Sequence, residues 1–277
     1  MTVDELFGRV RQLPPGMPKI AQELLESFDK EEESGAHLGE VAAKVAMDQV
    51  LTAKVLRLAN SAYFGGARNV ATLDQAVVLL GLSALRTLVI ASSATGLFPA
   101  LPNFDKRAFW RNCFLVASLS RELGRMAKLD PNVAFVCGML HRIGDLLIRM
   151  AEPELSADID GYEDIGADRA ETQKKLLGID FAEVGAELAS RWDFPEVIQE
   201  AIRCQLDPAS YEEKANYAAV LSISSHLVKV TDAEMDEDDE EFFPEEQAQL
   251  LGLGKDRVLH RLEVILEKGE DLAAMMV

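Results

Sequence analysis

The chain has 277 residues, of which 48% are hydrophobic and 27% charged, and its formal net charge at pH 7 is −19. This apolar content is enough for a sizeable core. A surface so negative repels phosphate groups, so we expect no direct binding to nucleic acid and no docking on an anionic membrane. The charge favours partners with basic surfaces.

The cysteines and the amino-terminal residues predict a cytoplasmic protein. Cys113, Cys137 and Cys204 lie far apart and show no paired spacing, which favours free, buried thiols over a disulfide framework or a structural zinc site. The first ten residues are amphipathic and carry acids, unlike a signal peptide. The uncharged run 87–104 contains serine, glycine and proline, so it predicts a buried helix and a turn, not a membrane span.

Helical periodicity dominates the first hundred residues, and none of this part alternates like a half-exposed strand. Apolar positions and breakers predict helices at about 3–10, 18–28, 38–45, 49–61, 73–80 and 83–98. Pro99 and Pro102 then indicate a boundary. We therefore predict a first helical lobe at residues 1–100.

The second lobe, residues 101–277, is also predicted to be helical, so the fold class is all-α. Helices are expected at about 106–127, 135–150, 167–177, 180–192, 195–204, 212–230 and 256–275, with an irregular acidic stretch at about 153–166. The acidic loop 232–243 is predicted to be solvated. The alternative is a docking strip for a basic partner, anchored by Phe242 and Phe243.

The helix predicted from Phe135 to Met150 carries the chemistry-bearing residues. His141 and Asp145 are four residues apart, so they share one face of a helix and could help to hold a metal ion. The chain has no glycine-rich phosphate loop, no GxSxG elbow and no HExxH motif.

LHRIGDLL at residues 140–147 resembles the LHDIGKLL signature of the HD superfamily, a helical class of metal-dependent phosphohydrolases. Other segments resemble signature segments of the HDOD family within it: LPPGMPKIAQELLE, VLTAKVLRLANSAYFGG, LDQAVVLLGLSALRTLVIA, FWRN at 109–112 and LGIDFAEVGAELASRWDFPEVIQEAIR at 177–203. The resemblance extends from about Leu13 to Thr231. It implies a degenerate HD-like lobe and a bacterial signal-transduction or regulatory role through other signalling proteins.

The resemblance also implies where the metal ligands of active relatives would fall. Only His141 keeps a ligand, and the other positions hold Asn112, Arg142, Phe181, Cys204, Gln205 and Lys229. Arg142 and Lys229 would bring fixed positive charge to a cation site, and Phe181 offers no lone pair. We therefore expect no catalytic residues, no metal and no cofactor.

Three interpretations of this site remain open. His141 could be a buried core histidine that hydrogen-bonds within the fold. The vestigial site, with Asp145 nearby, could instead keep a pocket in which Arg142 and Lys229 bind a small anionic ligand such as a nucleotide. Residual metal-dependent hydrolysis is the third interpretation.

A second candidate surface lies in the first lobe, where a predicted helix ends before Gly65. It holds Arg57, Asn60, Ser61, Tyr63 and Phe64. These residues could cap the helix carboxyl terminus, or they could form a recognition surface for a partner.

Overall fold

The computed structural model describes residues 1–10, 45–46, 49–60, 70–210, 216–234 and 243–276. Within these ranges the regular elements are α-helices, as predicted, apart from one short 3₁₀ turn at Pro208–Ser210. The helix predicted at 18–28, and all but the last residue of the one predicted at 38–45, lie outside the described residues.

The helices follow one another closely along the chain. In order they are α1 (Val3–Arg9), α2 (Gln49–Ala59), α3 (Leu73–Leu80), α4 (Leu82–Leu97), α5 (Lys106–Met126), α6 (Pro131–Leu140), α7 (Ile143–Ala151), α8 (Pro153–Asp164), α9 (Arg169–Leu177), α10 (Phe181–Arg191), α11 (Glu196–Cys204), α12 (Asn216–Asp232), α13 (Glu245–Leu250) and α14 (Lys255–Met276).

Local sequence sets several of the helix ends. Asp180 caps α10 by accepting backbone N–H groups, and Glu183 bonds back to the Asp180 N–H, so the two residues form a capping box. Asp130 caps α6, with Pro131 at its first position. Gly178 ends α9 in the left-handed region at φ 82°.

Helices α5 and α6 form the centre of the core and pack closely on each other. A Cβ on Gly138 of α6 would lie 2.4 Å from the Cα of Ala117 on α5, so only glycine permits this approach. Trp110, Phe114 and Phe135 are the largest side chains buried here. Around α5 lie α12 and α14, while α10 and α11 pack together nearby.

The buried apolar residues form one continuous cluster that includes side chains from both predicted lobes, such as Val89 of α4 and Phe135 of α6. Direct packing of α4 on α6 and of α2 on α14 joins the two parts. The boundary at residue 100 stays a prediction.

The prediction of one continuous helix from Phe135 to Met150 was wrong. This stretch consists of parts of two helices, α6 and α7, joined by a turn at His141 and Arg142. The two halves pack against different neighbours. Gly138 of α6 meets α5, whereas Gly144 of α7 meets α10. A straight helix could not make both close contacts, and the turn lets each half follow its own partner.

The prediction of irregular structure at 153–166 was also wrong. Pro153 stands at the first position of α8, where its missing N–H costs nothing. Ile159 is fully buried in the core cluster, so α8 has an inward face despite its acidic composition. Tertiary packing here outweighs the Gly and Asp residues that lower helix propensity.

Three further sequence predictions concern the cysteines, the two phenylalanines of the acidic loop and a membrane span. Cys113, Cys137 and Cys204 are free and buried, as predicted. Phe243 is only 3% exposed, so the interpretation of this side chain as a docking anchor was wrong: it packs in the core. Residues 235–242, which include Phe242 and the acids at 236–241, lie outside the described residues. No helix in the described part of the chain is long and apolar enough to cross a membrane.

Candidate functional site: a buried carboxylate held by two arginines

The site is built around the turn between α6 and α7. The carbonyl of His141 lies where the helix ladder is interrupted, and the Gln205 side chain supplies a donor. Gln205 Nε2 donates to the His141 carbonyl and to the Ile202 carbonyl, both at 2.8 Å. Gln205, just after α11, therefore satisfies a buried carbonyl at the interrupted helix end.

The His141 side chain is 1% exposed. Its Nδ1 lies 2.8 Å from the Gly138 carbonyl oxygen, to which it donates in the neutral form. Burial, followed by the positive charge of Arg142, lowers the pKa of His141 to about 4, so the ring is neutral at pH 7. Nε2 then carries a lone pair and meets no hydrogen-bond partner among the described groups.

Asp145 lies in the first turn of α7, and its carboxylate is 1% exposed. Arg142 Nε donates to Oδ2 at 2.8 Å, and Arg169 Nε donates to Oδ1 at 2.9 Å. Gln173 Nε2 donates to the same Oδ1 at 2.7 Å. Both carboxylate oxygens are thus engaged by side chains of the protein itself.

The charges around Asp145 fix its protonation state. Burial alone would raise the pKa of its carboxyl group. The guanidinium groups of Arg142 and Arg169 outweigh that effect and hold the pKa of Asp145 well below its usual range. The carboxylate stays ionised near neutral pH and neutralises part of the charge of the two arginines.

Arg169 connects this cluster to α8. Besides Asp145, its guanidinium donates to Asp160 at 2.8 Å and to Glu163 at 2.6 Å. Asp160 also accepts from Arg149 of α7, through Arg149 Nη1 at 2.8 Å. Three acids and two arginines thereby tie α7, α8 and α9 into one network, with Arg169 itself only 6% exposed.

Gln173 passes the network on to α10. It is fully buried, and its Oε1 accepts the backbone N–H of Phe181 at 2.8 Å while its Nε2 donates to Asp145. The Arg142 guanidinium lies 5.9 Å from the centre of the Phe181 ring, within cation–π range. The Phe181 side chain is 8% exposed and helps to cover this end of the cluster.

The structure brings together five of the predicted site residues: His141, Arg142, Asp145, Phe181 and Gln205. Cys204 is buried at the end of α11, next to Gln205. Asn112 is half-buried on α5, beside Cys113.

Burial raises the pKa of the Cys113 thiol to about 12, and the charges of Arg142 and Asp145 also affect this pKa. This stretch of α5 therefore lies near the cluster. Lys229 is different, because it is exposed in the last turn of α12. No hydrogen bond or ion pair between Lys229 and Asp145 or His141 is found in the described structure.

Sequence reasoning missed Arg169 and Gln173, the two residues that complete the cluster. Both lie on α9 with Leu177 at spacings of four residues, and all three are buried. A charged and an amide side chain in register with a buried leucine are a signal of a satisfied polar core. Among the described residues, no group of three or more His, Cys, Asp and Glu side chains could hold a metal ion.

The second candidate surface is described only at Arg57 and Asn60, because Ser61, Tyr63 and Phe64 lie outside the described residues. Asn60 Nδ2 donates to the carbonyls of Leu56 and Val70, and its Oδ1 accepts the Val70 N–H at 2.7 Å. This bonding caps α2. Arg57 Nη1 donates to the Met275 carbonyl at 3.0 Å and links α2 to α14.

The all-helical fold and the buried residues His141 and Asp145, at the junction of α6 and α7, define a protein of the HD-like type. The family model described as the HDOD domain matches residues 14–208 of this chain. The chain belongs to the HDOD family.

Solved structures show the same architecture over the full length. A protein of Shewanella amazonensis SB2B, named as a candidate phosphohydrolase, is 35% identical and superposes with a TM-score of 0.82, with 98% of both chains covered. An HDOD domain protein of unknown function from Geobacter sulfurreducens is 23% identical, with a TM-score of 0.84 over 99% of this chain and 96% of its own.

A curated relative, an uncharacterised protein of Treponema pallidum (strain Nichols), is 25% identical over 226 residues, or 79% of this chain. The matched region is 43% of that protein, so this chain spans less than half of its length.

Proposed function

We propose that this chain is a non-catalytic signalling or regulatory module that acts through contacts with other signalling proteins. The observation that carries the proposal is the state of Asp145. Its carboxylate, in the first turn of α7, is fully engaged by hydrogen bonds from Arg142, Arg169 and Gln173.

The residues around Asp145 do not fit a divalent ion. A metal site needs several lone pairs directed at one point and a surplus of negative charge. Here two guanidinium groups lie against the carboxylate, and an ion bound to Asp145 would have to displace them and lose both buried ion pairs. Their positive charge would also oppose the ion directly.

Among the described residues of this site, His141 has the orientation of a metal ligand. Its Nδ1 is bonded to a backbone carbonyl and its Nε2 lone pair meets no partner in the described structure, which is how ligating histidines are usually oriented. One imidazole does not hold a hydrolytic ion tightly, because affinity depends on ligand number and geometry. We take this orientation as a vestige of an ancestral metal site.

Elemental analysis together with a hydrolysis assay tests the proposal. Protein purified without chelator, and protein incubated with Mn²⁺, Fe²⁺, Ni²⁺ or Zn²⁺ and then desalted, should hold much less than one ion per chain. Neither preparation should hydrolyse bis(p-nitrophenyl) phosphate. The control is His260→Ala, which removes an exposed histidine of α14. A stoichiometric ion that His141→Ala abolishes and His260→Ala leaves would overturn the proposal.

Sensing of an anion at the same turn is the second candidate function. It is favoured by the Arg142 side chain, which is 25% exposed although it is bonded to Asp145. An exposed edge of a guanidinium is suited to phosphates and carboxylates. A thermal-shift screen of nucleotides and cyclic dinucleotides tests it, because a ligand that binds only the folded state raises Tm. A Tm increase that Arg142→Gln removes would favour this second function.

A further inference from the structure

A separate groove lies between α5 and α14, bounded at one side by the end of α3, and has a volume of about 570 Å³. We call it the basic groove. It shares no residue with the Asp145 cluster.

The basic groove concentrates positive charge on a strongly acidic protein. Arg121 and Arg125 line it from α5, and Arg261 and Lys268 line it from α14. Glu122 is the one acid among the described lining residues, and its side chain is 11% exposed. Even without Arg121, three cations against this one carboxylate give the described part of the groove a positive excess, while the whole chain carries a formal charge of −19.

Glu122 positions two of these arginines but does not occupy all of their N–H donors. Its carboxylate forms ion pairs with Arg125 from its own helix and with Arg261 from the opposite wall. The two arginine side chains remain 55% and 53% exposed. A guanidinium has five N–H donors, so one shared carboxylate leaves donors on both arginines facing solvent.

Apolar side chains accompany these charges. Leu79 of α3 is 37% exposed and Val264 of α14 is 52% exposed, and both line the basic groove. Val78, next to Leu79, is 85% exposed. Exposed apolar side chains on adjacent helices, flanked by arginines, are typical of protein-binding surfaces.

The dimensions of the basic groove suit a helix. On α5 the lining residues run from Ser118 to Arg125, and on α14 from His260 to Lys268, each on one helix face. At 1.5 Å per residue these walls are about 10–12 Å long, which is about two helical turns. The close approach of Gly269 to Leu115 and Ser118 sets the spacing of the walls, since a Cβ there would lie 2.9 Å from Leu115 Cδ2.

We propose that the basic groove docks an acidic amphipathic helix of a partner protein. Glutamates or aspartates of that helix would pair with Arg125, Arg261 and Lys268, and its apolar face would cover Leu79 and Val264. Charge complementarity identifies the occupant, because acidic segments are repelled by most of this surface and attracted here. The inference deepens the proposed function, in that it names the chemistry of one partner.

Fluorescence anisotropy with a defined probe tests this inference. The probe is a fluorescein-labelled helical peptide of about 14 residues, long enough to populate a helix, with leucine on one face and glutamate on the other. It should bind saturably, and more weakly as salt is raised. Lys268→Glu combined with Val264→Glu should weaken binding about tenfold or more. Both residues are exposed, so these changes leave the core intact.

The matched control is Arg107→Glu. It reverses an exposed charge on α5 as well, but 18 residues from Arg125 and therefore about 27 Å along the helix. This variant should bind the peptide like the parent chain. Equal weakening by the control would show nonspecific electrostatic attraction and would overturn the inference.

Three other results would also overturn it. They are the absence of saturable peptide binding, equal binding of a peptide with lysine in place of glutamate, and binding of tripolyphosphate without binding of the peptide. A dimer in sedimentation that Lys268→Glu dissociates would overturn it as well, because the occupant would then be a second copy of this chain. The metal assay above is independent of these results, so failure here leaves the non-catalytic assignment standing, and the reverse also holds.

Discussion

Arg169 of α9 and Asp145 of α7 form a buried ion pair, with Nε 2.9 Å from Oδ1 and the side chains 6% and 1% exposed. The two residues are 24 positions apart in the chain. Their ion pair links α7 directly to α9, in addition to the contacts that both helices make with the intervening α8. The buried carboxylate on α7 therefore depends on an arginine from another helix.

Replacing Arg169 by methionine should lower the free energy of unfolding by about 3–5 kcal/mol, because it leaves a buried carboxylate with one guanidinium instead of two. Urea denaturation monitored by circular dichroism measures this change. Lys175→Met is the control, since Lys175 and its partner Glu171 are both more than 70% exposed, and it should change stability little. A similar loss in the two variants would contradict the role of Arg169.

The pH dependence of stability should report on His141. Its pKa is about 4 in the folded protein and 6.5 as the ordinary value, so between these pH values the unfolded chain binds more protons than the folded one. Stability contributed by the neutral ring is therefore full above pH 6.5 and is lost as pH falls toward 4. The difference between these two pKa values corresponds to about 3 kcal/mol.

Urea denaturation at several pH values from 7 to 4.5, on the parent chain and on His141→Gln, isolates this effect. The carboxylates titrate in both proteins, and the contribution of Asp145 is lost only at lower pH, since its folded pKa lies below its ordinary value of 3.8. The difference in slope belongs to His141. Parallel profiles for the two proteins would show that His141 is not buried in the neutral form.

Gly144→Ala should destabilise the protein by about 3 kcal/mol or more, because the new methyl group overpacks a closed interface. Its Cβ would lie 2.1 Å from the Phe181 carbonyl oxygen and 2.6 Å from the Gly185 nitrogen, so α7 and α10 would have to separate. Thermal and urea unfolding measure the loss.

Gly161→Ala is the matched control for that substitution. Gly161 lies within α8, is exposed, and a Cβ there would meet nothing within 4 Å. Alanine should therefore stabilise the protein by about 0.5–1 kcal/mol through helix propensity. The two Gly→Ala changes are expected to have opposite signs, and a shared sign would contradict the close approach of α7 and α10.

Asn60→Ala should cost about 1–2 kcal/mol, since it removes the side chain that bonds both backbone groups of Val70 and the Leu56 carbonyl. Asn60→Asp keeps the acceptor for the Val70 N–H and should lose less. Urea unfolding measures both variants. If Asn60→Ala unfolds like the parent chain, the capping role fails and the recognition interpretation gains.

Much of the fold is encoded in local patterns that the sequence displays directly. The capping box of Asp180 and Glu183, the glycine at 178 and the apolar period of α5 depend on neighbours in the chain, so they could be predicted. The break at His141 and Arg142 could not. It results from two glycine contacts with different helices, Gly138 with α5 and Gly144 with α10, and spacing along the chain does not show which helix faces each glycine.

The candidate site was predictable to a similar degree. The pairing of Arg142 with a nearby acid follows from their spacing of three residues, and the turn between them adds the geometry. Arg169 and Gln173 come from another helix, so only the tertiary fold shows that they complete the cluster. Lys229, assigned to the same site by resemblance, is exposed in the last turn of α12.

The pairing of Glu122 with an arginine on each wall has a consequence for the kinetics of the basic groove. Gly269 fixes the separation of α5 and α14, and Glu122 holds Arg125 and Arg261 before any partner arrives. The proposed partner helix would therefore meet a groove that is already formed and would need no opening step. Its association rate should follow long-range electrostatic attraction and fall steeply with ionic strength, while its dissociation rate should depend on the apolar contacts at Leu79 and Val264.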